Sequence, residues 1–157
     1  MKRQIRKSVF ETNSSSVHTL VYPKGNCSIP ISDISKDGVV TVQCSDFSYY
    51  GYVEDLYEKL QYLCSYIALD DQYEKNFDSS EGEYMTNKDN MYLDNILDAI
   101  KMKDPSIKEL KAIHCECAMF DHQTSPYESS CVVNLNDTDS INTFLFNDEI
   151  KIKLDRD

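Results

Sequence analysis

Apolar and polar positions change their period several times along the chain, and each change marks an element. Residues 4–10 and 17–22 read as a pair of strands. In the second, Val17, Thr19 and Val21 fall on one face and His18, Leu20 and Tyr22 on the other. Successive strand side chains point to opposite faces, so apolar groups on both make this a central strand. Pro23-Lys24-Gly25-Asn26 is a turn signal. Residues 29–34 alternate weakly and contain Pro30, which has no N–H to give a ladder, so they are expected as an edge strand or loop. Asp37-Gly38 suits a hairpin turn, and the β-branched run 39–44 behind it suits a strand.

From residue 53 the period lengthens to that of a helix. Val53, Leu56, Tyr57, Leu60, Leu63, Cys64 and Ile67 recur at helical spacing, with Glu54 and Asp55 in the first turn, where acids complement the dipole. Residues 70–83 are acidic and interrupted, which predicts an exposed, partly helical connection. Thr86-Asn87-Lys88-Asp89 resembles a capping box with Asp in place of Glu. It precedes a second helix carrying Leu93, Ile96, Leu97 and Ile100, stopped by Asp104-Pro105. Residues 111–120 and 130–135 read as strands, and Asp137-Thr138-Asp139-Ser140 caps a short helix through Phe146. Residues 149–154 alternate cleanly, with Ile150, Ile152 and Leu154 inward and Lys151 and Lys153 outward, as at a protected edge. Strands at both ends with helices between them give an α+β class: a mainly antiparallel sheet with two central helices packed on one face, and a short C-terminal helix before the last strand. No linker or repeat divides residues 1–157, a length that suits a single domain with a real core.

Composition agrees with that picture: 41% hydrophobic and 27% charged residues describe a globular chain. No apolar run is long enough for a membrane span. Residues 1–10 are basic but have no apolar segment behind them, so no export signal is read and the expected location is the cytoplasm where the chain is made. In that compartment Cys27, Cys44, Cys64, Cys115, Cys117 and Cys131, mostly inside apolar runs, are expected as reduced, buried thiols.

Charge is uneven. Residues 1–25 hold five bases against one acid, a net +4, whereas residues 46–99 hold thirteen acids against three lysines, a net −10 of the chain's −11. Such a middle region does not bind nucleic acid directly. It suits a partner with a basic surface, including a surface that normally holds nucleic acid. Glu54, Asp55, Glu58, Asp70 and Asp71 are the candidate partner-binding residues. The first three lie on the polar side of the first helix, where reversal to lysine is expected to leave the helix folded. Plain solubility is the competing explanation of the charge.

Two polar clusters carry candidate chemistry. Glu11-Thr12-Asn13-Ser14-Ser15-Ser16-Val17-His18 lies between the first two strands, with Arg6 upstream, and Asp121-His122-Gln123-Thr124 follows the strand 111–120. Asn and Ser turns aim N–H groups into one concavity, which suits an anion. Histidine titrates near neutral pH. Glu11, Ser14, His18, Asp121 and His122 are therefore the candidate catalytic residues, and Arg6, Asn13, Ser15, Ser16, Gln123 and Thr124 the candidate ligand contacts. The clusters are expected side by side at one end of the sheet. The plain alternative is a polar hairpin loop with His18 half buried. His114-Cys115-Glu116-Cys117, with His122 and Cys131, resembles a zinc ligand list. Strand parity instead places Ile113, Cys115, Cys117 and Met119 on one apolar face and His114 on the other, which favours core packing. No metal and no cofactor are expected.

The run from Arg6 through Phe10-Glu11-Thr12-Asn13-Ser14-Ser15-Ser16-Val17 to His18 resembles the opening of a family of small uncharacterised bacteriophage and prophage proteins. Asp121-His122-Gln123-Thr124 and Phe144-Leu145-Phe146-Asn147 extend the resemblance to the C-terminal end, leaving the acidic middle uncovered. The resemblance implies a phage origin rather than a reaction, and small acidic phage proteins that act against host defences are the natural class. Two functions follow: an acidic inhibitor of a host defence or nucleic-acid-handling enzyme, similar in action to an anti-CRISPR protein, or a small transferase or hydrolase acting on a phosphate-bearing or nucleotide-like substrate.

Overall fold

The computed structural model describes residues 18–21, 30–47, 51–75, 84–114 and 133–154. They form an α+β fold with two sheets. Strands β1 (His18–Val21), β4 (Gly51–Val53) and β7 (Ile150–Leu154) make an antiparallel sheet in the order β1-β7-β4. Strands β2 (Ser35–Lys36), β3 (Val39–Gln43), β5 (Tyr84–Thr86) and β6 (Glu109–Ile113) make a mixed sheet in the order β2-β3-β6-β5, in which β3 and β6 run parallel. Four helices complete the described chain: α1 (Ile31–Ile34), α2 (Leu56–Lys75), α3 (Met91–Lys101) and α4 (Thr138–Phe146).

The mixed sheet has one covered face. Val40 and Val42 of β3 lie opposite Leu110 and Ala112 of β6, and all four are buried, while Thr41 and Gln43 on the other face are exposed. Period-2 burial of this kind is what a half-covered sheet requires. Helices α2 and α3 pack against the covered side, and α4 packs on both helices. Leu93, Ile96, Leu97 and Ile100 form the inner stripe of α3. Val53 and Ile152, opposite each other in the antiparallel sheet, join the same core.

The Asp37-Gly38 turn has the expected form. Both residues have positive φ, 56° and 79°, the signature of a tight type I′ hairpin. Here the turn does a second job: the Gly38 carbonyl accepts from Lys108 N–H at 2.7 Å, anchoring the hairpin to the start of β6.

Several expectations are corrected. In the stretch expected as an edge strand or loop, residues 30–34 form a helical turn: Asp33 N–H donates to the Pro30 carbonyl at 2.9 Å, which places Ile31 and Ile34 on the core side, and the strand begins at Ser35. Proline starts helices well because its missing N–H would have no intrahelical partner. The box ahead of α3 is a local turn, in which Asp89 Oδ2 accepts from Thr86 N–H and Oγ1. The cap is Asn90, whose side chain accepts from Tyr92 and Leu93 N–H. Strand β7 is the centre of its sheet, not a protected edge, and β1 stands at an edge among the described strands. Strand β6 ends at Ile113, and its buried face is Leu110, Ala112 and then His114, with Ile113 only half buried, the reverse of the expected parity. Helix α2 continues to Lys75, as the partly helical reading of 70–83 expects. Residues 4–10, 23–26, 115–120 and 130–132 of the expected strands and turns lie outside the described residues.

Burial on α2 is broader than its apolar stripe. Lys59, Leu60, Tyr62, Leu63, Cys64, Ser65, Ile67 and Ala68 are all buried, because the helix touches β3, β4, β6, α3 and α4. Tyr62 packs edge-on against Phe47 at 5.4 Å between ring centroids and tilted against Phe144 at 6.4 Å. Cys44 and Cys64 are free and buried. Burial pushes the Cys44 thiol up from 9.0 to about 11, against a smaller opposing pull from its hydrogen bond with Ser65.

Two predictions come from this packing. Gly38→Ala forces a left-handed conformation that costs an L-residue roughly 1–2 kcal/mol, and the added Cβ would meet the Ser106 carbonyl oxygen at 2.9 Å. Urea denaturation is expected to show a loss of at least about that size; a loss within error of zero would mean that the turn does not hold the hairpin. For Cys44 the folded value lies above the unfolded one, so its contribution to stability is complete below pH 9.0 and is lost as pH rises towards about 11. The stability difference between the wild type and Cys44→Ala should therefore shrink over that window; a difference that is constant with pH would contradict the assignment.

Candidate partner-binding surface

Helix α2 begins where β4 ends, and its start is held by its own acids. The Asp55 Oδ1 accepts from Glu58 N–H at 2.8 Å, while Glu58 Oε2 accepts from Glu54 N–H at 2.8 Å and Asp55 N–H at 3.3 Å. This reciprocal pattern is a capping box with Asp at the cap. It satisfies N–H groups that a helix start leaves without partners. The third acid, Glu54, pairs with Lys151 of β7 at 2.9 Å. Three of the five acids expected to meet a partner are thus engaged inside the chain, and reversal of Asp55 and Glu58 to lysine would remove the cap rather than leave the helix untouched. Asp70 and Asp71 belong to the same helix, about 22 Å further along its axis at 1.5 Å per residue, and only their backbone lies among the described residues. They do not share a patch with the helix start.

What joins the helix start is the turn between α4 and β7. Asn147 is the C-cap of α4; its N–H donates to the Thr143 carbonyl at 3.1 Å and its Oδ1 accepts from Glu149 N–H at 2.9 Å. The Asn147 carbonyl accepts from Ile150 N–H at 3.1 Å and from the Lys59 Nζ at 2.8 Å. Lys59 is only 1% exposed, and its ammonium lies 5.8 Å from the centroid of the Phe144 ring. Burial lowers its pKa below the usual lysine value of 10.5; Asp148 and Asp55 oppose this and Lys151 adds to it. Asp55 from the helix start and the exposed Asp148 from the turn therefore both act on the buried Lys59, Glu54 is paired with the half-buried Lys151, and Glu149 is exposed beside Asp148 on the same turn. Sequence reasoning missed Lys59, Asp148 and Glu149. The signal for Lys59 was its position three residues after Leu56 and four before Leu63, on the apolar face of the helix.

The other candidates are placed only in part. His18 opens β1, its backbone opposite Lys153 of β7. Glu11, Ser14, Asp121 and His122, and Arg6, Asn13, Ser15, Ser16, Gln123 and Thr124, lie outside the described residues. Among the described residues no three His, Cys, Asp or Glu side chains come together as a metal site. No helix among them is long and apolar enough to cross a membrane. Compared with protein-family models, with curated proteins and with solved structures, the chain finds no match in any of the three.

Losing an N-cap side chain costs about 0.5–2 kcal/mol. Asp55→Ala and Glu58→Ala are each expected to lower stability by an amount in that range, and Asp55→Lys by more, because a cation then faces the positive end of the helix. Thermal unfolding followed by circular dichroism checks this; a fully stable Asp55→Lys variant would show that the box contributes nothing.

Proposed function

We infer that this chain is an acidic binding protein whose partner presents a basic surface, and that it acts as a phage-encoded inhibitor of a host enzyme that handles nucleic acid, such as a defence nuclease. The observation that carries the reading is that the exposed acids Asp148 and Glu149 sit on the turn whose Asn147 carbonyl is held by Lys59 of α2, at a place where Lys151 is already paired with Glu54. Basic grooves that hold a phosphate backbone are complementary to such a face. Electrostatic complementarity sets encounter rate and orientation, which is what an inhibitor competing with nucleic acid needs. The resemblance of the opening residues to phage proteins supports the same class. In this reading Asp148 and Glu149 make the contact, and Asp55 and Glu58 add their field while holding the helix.

A fluorescent peptide of about ten lysines serves as the simplest basic partner. Binding followed by anisotropy is expected to weaken steeply as salt rises and the screening length falls. The double substitution Asp148→Asn with Glu149→Gln leaves the capping box intact and is expected to weaken binding several-fold. Absent binding, binding indifferent to salt, or full affinity in the double variant would each overturn the reading.

A further inference from the structure

We propose that Lys59 is a positioning residue: it seats the turn 147–149 on α2 and so fixes the spacing between the acids of that turn and those at the helix start. Its consequence for binding rests on the acidic-face reading above; its structural step does not. An ammonium carries three donors, and Lys59, almost fully buried, makes one hydrogen bond among the described residues, to the Asn147 carbonyl at 2.8 Å. Burying a charge is unfavourable even with carboxylates nearby, and replacing buried charges with well-packed apolar groups is often neutral or stabilising. A methionine of similar length would fill the same space beside Phe144, so stability alone does not account for a lysine here.

What methionine cannot do is hold the carbonyl of Asn147, the C-cap of α4. Asn147 is the node from which the turn hangs, since its carbonyl also accepts from Ile150 N–H and its side chain from Glu149 N–H. Lys59 reaches that node from the opposite helix, 88 residues away in sequence. The charged groups around it come from each neighbour: Asp55 from the start of α2, Asp148 from the turn and Lys151 from β7, with the Phe144 ring from α4. The folded pKa is lowered, so in the unfolded chain the group holds its proton longer. Raising pH towards 10.5 therefore favours the folded state at this residue, and Lys59→Met removes that trend.

The experiment is Lys59→Met in the full chain, read three ways. At neutral pH the melting temperature is expected to stay within a few degrees of the wild type or to rise. Amide hydrogen exchange at Glu149 and Ile150 is expected to quicken about tenfold. Affinity for the lysine peptide is expected to fall at least threefold. Failure to fold, or a large fall in melting temperature, would make Lys59 a stability residue and overturn the proposal, as would unchanged exchange at the turn. If the wild type does not bind the peptide, the acidic-face reading fails, and the exchange measurement still decides whether Lys59 seats the turn. Unchanged affinity with faster exchange would overturn the link between the turn and binding.

Discussion

From Leu56 to Ala68, helix α2 is buried on most of its circumference, and its buried polar side chains Lys59 and Ser65 take their partners from the protein rather than from water. Lys59 takes the Asn147 carbonyl. The stripe Tyr57, Gln61 and Ser65, spaced by one turn each, runs along the edge of β3. The Tyr57 hydroxyl accepts from Gln43 N–H at 3.3 Å, Gln61 Nε2 donates to the Gln43 carbonyl at 2.7 Å, and Ser65 Oγ accepts from Ser45 N–H at 2.9 Å. Strand β2 pairs only with Val39 and Val40 of that edge. Further along, Tyr57 and Gln61 meet the exposed backbone of Gln43, and Ser65 meets the part-buried Ser45 N–H, where an unmet buried group would cost about 1–3 kcal/mol. A helix here completes a sheet edge by side chain, and this fixes its rotation as firmly as its apolar stripe does.

The same constraint divides the acids. Those at the start of α2 are first structural, because a buried helix cannot leave its end N–H groups bare, and carboxylates answer both the missing hydrogen bonds and the positive end of the dipole. Being hydrogen-bonded does not remove their charge, so they still contribute to the field outside. Asp148 and Glu149 sit on a turn whose own backbone bonds are supplied by Asn147, which leaves their carboxylates facing solvent. A surface built this way keeps its shape from one set of acids and offers another.

Elements with one-sided burial were legible in the sequence. Helix α3, strand β3 and the Asp37-Gly38 turn follow from period and turn chemistry alone, as does the α+β class. Alternation reports faces, not neighbours, which is why 149–154 could be read as a strand but not as the centre of its sheet: an antiparallel strand with one wet face looks the same at either place. Parity failed at 112–114 because both sets of alternating residues hold apolar members, and the smaller Ala112, not Ile113, faces the helices. Thr86, Asp89 and Asn90 all can cap, and only the turn geometry decides between them. At the candidate surface the acids of 54–58 were visible as charge. Their reciprocal bonds were not foreseen, and Asp148 and Glu149 lay far outside the window in which the acidic run was counted.

That last gap is one of topology. The parallel pair of β3 and β6 is joined by a crossover that contains β4, α2, β5 and α3, as parallel strands require a long connection. The chain then returns through α4, and β7 inserts between β1 and β4, antiparallel to both. Inserting β7 beside β4 is what carries the 147–149 turn to the start of α2, because β4 runs directly into that helix. The acidic face is therefore a product of strand order. An unfolded chain of the same composition would carry the same net charge, and solubility would be equally served by acids scattered anywhere on the surface. A defined spacing between two acid groups, set by a strand insertion and a buried lysine, is a property that net charge does not require, and recognition of a shaped basic surface does.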